Sequence, residues 1–155
     1  MRKSKSSLKI LIAHGVNLDL LGKREPEIYG AQTLVDINDE IEKSLIKIRT
    51  NLGVAQNVKL EFFQTNNETE YLAKLDKGWD GALLNPGAWT HTSLALADRL
   101  AGLNLKFVEI HLSSISSRES YRHNSYCSKH ALGVVQGFGV QSYIFGLYAL
   151  LSSLK

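Results

Sequence analysis

Residues 33–64, TLVDINDEIEKSLIKIRTNLGVAQNVKLEFFQ, place a helical pattern directly ahead of a strand pattern, and that succession decides the fold. From Thr33 to Leu52 the apolar residues Leu34, Ile37, Ile41, Leu45, Ile48 and Leu52 recur every three or four positions, the spacing of one helix face. Thr33 and Asp36 stand at the spacing of a capping pair, and Gly53 supplies a stop. From Val58 to Gln64 the composition turns to the β-branched and aromatic residues of a strand.

Outward from this stretch the same alternation repeats. Strands are expected at Leu8–Ala13, Gly81–Leu84, Lys106–His111 and Leu132–Val135. A helix is expected from Asn67, with Glu70 three positions on, burying Tyr71, Leu72 and Leu75; another runs from about Thr92 to Leu103. A last one, Val140 to Leu154, turns Tyr143, Ile144, Leu147, Leu150, Leu151 and Leu154 to the core. Parallel neighbours need crossover connections, so strands alternating with helices predict a parallel sheet covered on both faces. The expected class is α/β, a three-layer flavodoxin-like doubly wound fold with a five-stranded parallel sheet. The order of the strands stays open, and no internal repeat is found.

The chain of 155 residues fits one domain. Residues 1–7 read as a basic flexible tail and 8–155 as a single catalytic domain. With 44% hydrophobic and 21% charged residues, the balance is that of a soluble globular protein. No apolar run approaches the roughly 20 residues of a membrane span, and the short stretch after the tail is not a signal peptide. The lone Cys127 permits no internal disulfide and has no local nucleophile signature, which suits a reducing cytoplasm. A net charge of +3 without a basic stripe argues against nucleic acid.

In open parallel sheets ligands bind beyond the carboxyl ends of the strands. After the first expected strand come His14, Asn17, Asp19, Arg24 and Tyr29, and after the second Thr65, Asn66 and Asn67. After the third come Asn85 and His91, and after the fourth His111, Ser113, Ser114, Arg118 and Arg122. No G-x-G-x-x-G or G-x-x-x-x-G-K-[ST] motif stands there, so no nucleotide cofactor is expected. The 5 His are irregularly spaced and no acid or Cys completes a ligand set, so no metal is expected. Without a G-x-S-x-G elbow, covalent serine chemistry is disfavoured. What remains suits acid–base work on an anionic, hydroxylated small molecule.

Five stretches, residues 15–22 (GVNLDLLG), Arg24 to Gly30, 85–93 (NPGAWTHTS), 108–113 (VEIHLS) and Arg118 to Tyr126, resemble the type II 3-dehydroquinate dehydratases in order and spacing. The resemblance implies an anti elimination of water from 3-dehydroquinate through an enolate, without cofactor. It implies that Tyr29 is the base, its phenolate favoured by Arg24, and that Asn17 holds a water against the enolate oxygen. His111 matches the general acid and Glu109, on the same strand face, the carboxylate that orients it. Asn85, His91 and Arg122 match contacts to substrate hydroxyls, Leu112 and Ser113 the carboxylate contacts, and Arg118 the charge network around a closed loop. Asp98 matches an acid that reaches a neighbouring subunit's site in a homododecamer built from trimers.

The chain departs from the family at His14, where asparagine is usual, at Asp19, where asparagine or a similar small polar residue is common, and at Val16, where proline is usual. Thr69, Trp89, Ser114 and Ser120 also differ, and all of these touch walls rather than the expected base or acid. The alternatives are a catalytically impaired member and a flavodoxin-like binding module.

Overall fold

The computed structural model describes residues 6–23, 26–29 and 31–155, with Pro26 and Tyr29 described by their backbone. Residues 1–5 of the expected tail lie outside the described residues, as do Arg24, Glu25 and Gly30.

Strands β1 (Ser7–His14), β2 (Asn57–Gln64), β3 (Gly81–Asn85), β4 (Phe107–His111) and β5 (Gly133–Gln136) form one sheet in the order β2-β1-β3-β4-β5. Every neighbouring pair is parallel. The chain steps from β1 to the edge at β2, then returns past β1 to β3. That reversal leaves a crevice beyond β1 and β3, the place where sheets of this order bind ligands. The register sets His14 between Gln64 and Asn85 across the sheet.

The connecting helices are α1 (Pro26–Tyr29), α2 (Leu34–Leu52), α3 (Glu68–Lys74), α4 (Trp89–Thr92), α5 (Leu94–Gly102) and α6 (Gln141–Ser153). The expected capping pair is a full capping box: the Asp36 N–H donates to Thr33 Oγ1 at 3.2 Å and the Thr33 N–H to Asp36 Oδ2 at 2.9 Å. Gly53 closes α2 in the left-handed conformation.

The helix expected from about Thr92 to Leu103 is α5, and the short α4 directly ahead of it went unanticipated. Ser93 is extended between them, and its Oγ accepts the Leu96 N–H at 2.9 Å, so α4 ends and α5 begins on one side chain. The turn at α1 went unanticipated because four residues carry no period.

Strand side chains alternate between faces. One set, Ile10, Ile12, Leu83, Val108 and Ile110, packs under α2 and α6 through Ile37, Ile41, Leu45, Tyr143, Leu147 and Leu151. The other, Leu11, Ala13, Ala82, Leu84 and Phe107, packs under α3 and α5 through Tyr71, Leu75, Leu96 and Leu100. Each such apolar side chain, fully buried, contributes roughly 1.5–3 kcal/mol. A Cβ on Gly146 would lie 2.4 Å from Ile110 Cδ1, so only glycine lets α6 come this close to the sheet. That approach delivers Tyr143, one turn earlier, to the strand ends.

Candidate active site

A cleft of about 110 Å³ opens beyond the ends of β1, β3 and β4. Of the residues singled out in the sequence, Asn17, Asn85, His91, His111, Leu112, Ser113, Arg118 and Arg122 line it, with Leu18, Leu20 and Leu21 as an apolar wall. Residues from three separate loops thus meet because the parallel sheet brings its carboxyl ends to one edge, while Thr65, Asn66 and Asn67 after β2 do not line the cleft.

On the β4 side, Glu109 and His111 share a face of the strand, as their two-residue spacing requires. Glu109 is fully buried, and its Oε1 lies 2.7 Å from His111 Nε2. Thr90 Oγ1 donates to the same oxygen at 2.6 Å, and Ser125 Oγ lies within 2.9 Å of both carboxylate oxygens. Burial opposes the charge on Glu109, yet the hydrogen bonds from His111, Thr90 and Ser125 outweigh it and hold the carboxyl below its ordinary value. An anion is therefore fixed directly behind His111.

On the β1 and β3 side the polar groups are neutral. His14 Nε2 lies 2.8 Å from Asn38 Oδ1, and Nδ1 lies 2.8 Å from the Tyr143 hydroxyl. A carbonyl oxygen only accepts, so Nε2 carries the proton and Tyr143 donates to Nδ1. Burial, only partly opposed by the Asn38 contact, lowers the His14 pKa to about 4. Tyr143, pushed up by burial, keeps its proton, and Asn85 Nδ2 donates to its oxygen at 3.0 Å. The Gly87 N–H donates to Asn85 Oδ1 at 3.2 Å. Both ends of the Asn85 amide are thereby assigned.

Asn17 enters from the β1 loop in the left-handed conformation, φ 66 and ψ 3. The Gly15 N–H donates to the Asn85 carbonyl at 2.8 Å, and a Cβ on Gly15 would fall 2.3 Å from Pro86 O. Glycine is required for this loop to lie against the one after β3.

At the rim, His91 Nδ1 lies 2.7 Å from the Asn124 carbonyl, which leaves Nε2 as the acceptor of the neutral ring. Burial is the main cause lowering its pKa, and its ring stacks 6.3 Å from that of His111. Arg122 Nε donates to Glu119 Oε2 at 3.0 Å, and Arg118 Nε lies 3.6 Å from the same oxygen.

One expected residue falls elsewhere. Asp98 is exposed on α5, among Leu72, Ala95 and Arg99, outside this cleft. Arg24 lies outside the described residues, and Tyr29 ends α1 with its side chain likewise outside them.

Sequence reasoning passed over Thr90 and Ser125, although both lie inside the matched stretches, because a hydroxyl has no pattern until its acceptor is known. Asn38 and Tyr143 were hidden as ordinary positions of helices. Cys127, near Thr90 and Glu109, has its thiol pushed up to about 12 by burial, so it is no nucleophile at neutral pH. Among the described residues no three His, Cys, Asp or Glu gather as metal ligands, and no helix is long and apolar enough to cross a membrane.

Fold and cleft together define a class: a flavodoxin-like α/β protein whose strand ends hold a carboxylate–imidazole pair over a small polar cleft. The family model described as dehydroquinase class II matches residues 8–151. A relative from Psychromonas ingrahamii, named 3-dehydroquinate dehydratase, is 44% identical over 151 residues, 96% of each chain. One of the same name from Prochlorococcus marinus is 46% identical over 151 residues, 96% of this chain and 99% of that one. The crystal structure of type II dehydroquinase from Butyrivibrio crossotus matches with a TM-score of 0.86 at 33% identity, covering 96% of this chain and 100% of that one. This chain belongs to the class II dehydroquinase family. The resemblance and the fold class expected from the sequence both stand.

Proposed function

We propose that this chain is a 3-dehydroquinate dehydratase, eliminating water from 3-dehydroquinate to give 3-dehydroshikimate. The observation that carries the reading is the buried Glu109–His111 pair at the cleft, 2.7 Å apart, with Asn17, Asn85, His91 and Arg122 lining the same cleft. A tertiary hydroxyl leaves only when protonated, and an imidazole backed by a fixed anion is suited to supply that proton. Nε2 is committed to Glu109, so the proton handed over comes from Nδ1.

In this reading the Tyr29 phenolate takes the proton alpha to the ketone. The electron pair of the C–H bond moves into an enolate. As the enolate collapses back to the ketone, the carbon–carbon double bond forms and the C–O bond breaks anti to the lost proton. The departing oxygen takes the proton of His111 and leaves as water. A free phenol titrates near pH 10, so Tyr29 needs the cation Arg24 beside it. Asn17 holds a water against the enolate oxygen. Leu112 and Ser113 receive the carboxylate, Asn85, His91 and Arg122 the hydroxyls, and Arg118 the charge network of the closed loop.

The enzyme is read as cytoplasmic, acting without metal or cofactor through residues 8–155 as one catalytic domain. It is read as a dodecamer of trimers in which Asp98 reaches a neighbour's cleft. The exposed aromatic pair Phe138 and Phe145, ring centroids 5.6 Å apart, is apolar surface of the kind an assembly covers.

The test is an absorbance assay for the conjugated enone, run beside Tyr29→Phe. The expected result is turnover by the unsubstituted chain and a loss of roughly 10²-fold or more in the variant. No enone from the unsubstituted chain would favour a binding module. A near-normal rate in Tyr29→Phe would remove that phenol from the mechanism.

A further inference from the structure

Among the described residues Asn17 is the one non-glycine with positive φ. Asparagine tolerates that conformation better than most residues, but it is exposed here, so burial does not hold it. Its loop also has Val16 where relatives by resemblance carry a proline, and so lacks a rigid φ beside the strained position.

The hold comes from beyond the end of β2. The Asn17 N–H donates to Asn66 Oδ1 at 2.8 Å. Gln64 Nε2 donates to the same Oδ1 at 3.2 Å and to the Gly15 carbonyl at 3.3 Å. Asn66 Nδ2 in turn donates to Asp19 Oδ1 at 3.2 Å. A side-chain amide can face either way, and its direction is set by what surrounds it. The Asn17 N–H only donates and the Asp19 carboxylate only accepts, so the two together turn the Asn66 oxygen toward Asn17 and its NH₂ toward Asp19.

We propose that Asn66 and Asp19 are positioning residues: Asn66 clamps the Asn17 backbone in its left-handed turn and thereby sets where the Asn17 side chain enters the cleft, while Asp19 anchors the NH₂ end of the Asn66 amide and so holds the clamp in place. The clamp crosses from the β1 loop to the β2 loop at the open edge of the crevice. Its role in turnover rests on the functional reading above. The geometry it imposes does not.

The test is a set of variants, Asn66→Ala, Asn66→Asp and the double Asp19→Asn/Asn66→Asp, measured in steady-state kinetics, thermal unfolding and amide hydrogen exchange at Asn17. Asn66→Ala is expected to lower kcat about tenfold with KM changed less than about twofold, since a catalytic group displaced by about 1 Å loses that much or more. Its Tm should stay near that of the parent because the residue is exposed. Asn66→Asp sets two carboxylates against each other, so its kcat should be lower than the parent's at neutral pH and recover as the pH falls toward the carboxylate range. The double variant reverses donor and acceptor, with the new carboxylate accepting from Asn17, Gln64 and the new amide, and should recover most of the lost kcat. Exchange at the Asn17 amide should quicken at least about tenfold in Asn66→Ala and slow again in the double variant.

An unchanged kcat in Asn66→Ala, or a double variant no better than Asn66→Asp, would overturn the proposal. An inactive parent chain would instead sink the dehydratase reading, and the exchange rates would then decide the clamp by themselves: unchanged exchange overturns it and accelerated exchange sustains it.

Discussion

His14 and His111 end β1 and β4 of one sheet, and both are buried, yet they are built for opposite tasks. His14 sits between an amide oxygen and a phenol, and burial takes its pKa from 6.5 to about 4. It is a neutral strut under the cleft wall. His111 faces Glu109, whose charge three side chains stabilise. Depth alone therefore does not make a proton donor of a histidine. The partner decides, and a partner that keeps its charge in the interior needs its own ring of donors.

The comparison breaks most visibly at His111. His111→Ala should lower kcat by about 10²–10⁴-fold, the range general acids supply, in the enone absorbance assay. A rate within a few-fold of the parent would make His111 no more catalytic than His14.

The contrast next shows in stability. Below pH 6.5 the unfolded chain protonates position 14 while the folded chain does not, so stability is whole above pH 6.5 and falls as the pH drops toward 4. The loss attributable to His14 across that window is roughly 3 kcal/mol. Urea unfolding at several pH values checks this, and His14→Asn should flatten that window. Glu109, whose folded pKa is depressed, stabilises above the ordinary carboxylate range and loses its contribution only below it. His91, also lowered by burial, leaves some slope in the same window, so the test is the comparison with the parent. A slope between pH 6.5 and 5 as steep in His14→Asn as in the parent would mean another group is responsible.

Removing only the charge sharpens the pairing. Glu109→Gln keeps shape but not the anion, and kcat should fall by about tenfold or more with an altered pH–rate profile. An unaltered profile would make Glu109 a scaffold. The smallest effect is expected at Tyr143→Phe. It strips a donor from His14 and an acceptor from Asn85, destabilising by about 1–3 kcal/mol in urea titration and raising KM more than it lowers kcat.

The Glu109–His111 pair was legible because two residues apart on a strand means one face, a rule that needs no tertiary information. The capping box and the buried stripe of α2 were legible for the same reason. His14 was grouped with the polar residues gathered at the cleft edge, and the structure puts it under the wall instead. Its partners Asn38 and Tyr143 are 24 and 129 residues away, so no local pattern could reveal them. The short helix α4 ahead of Ser93 was not legible because four residues carry no period, and the role of Ser93 as the cap of α5 shows only when its hydroxyl finds Leu96.

The amino-acid sequence alone determined the five strands and the longer helices, that the sheet is parallel, and which side chains share a face, since these follow from interactions a few residues long. Only the tertiary structure decided the order β2-β1-β3-β4-β5, the meeting of three loops at one cleft, and the contrast between two buried histidines. Those depend on which distant groups become neighbours, and that is set by the summed packing of the whole core rather than by any single residue.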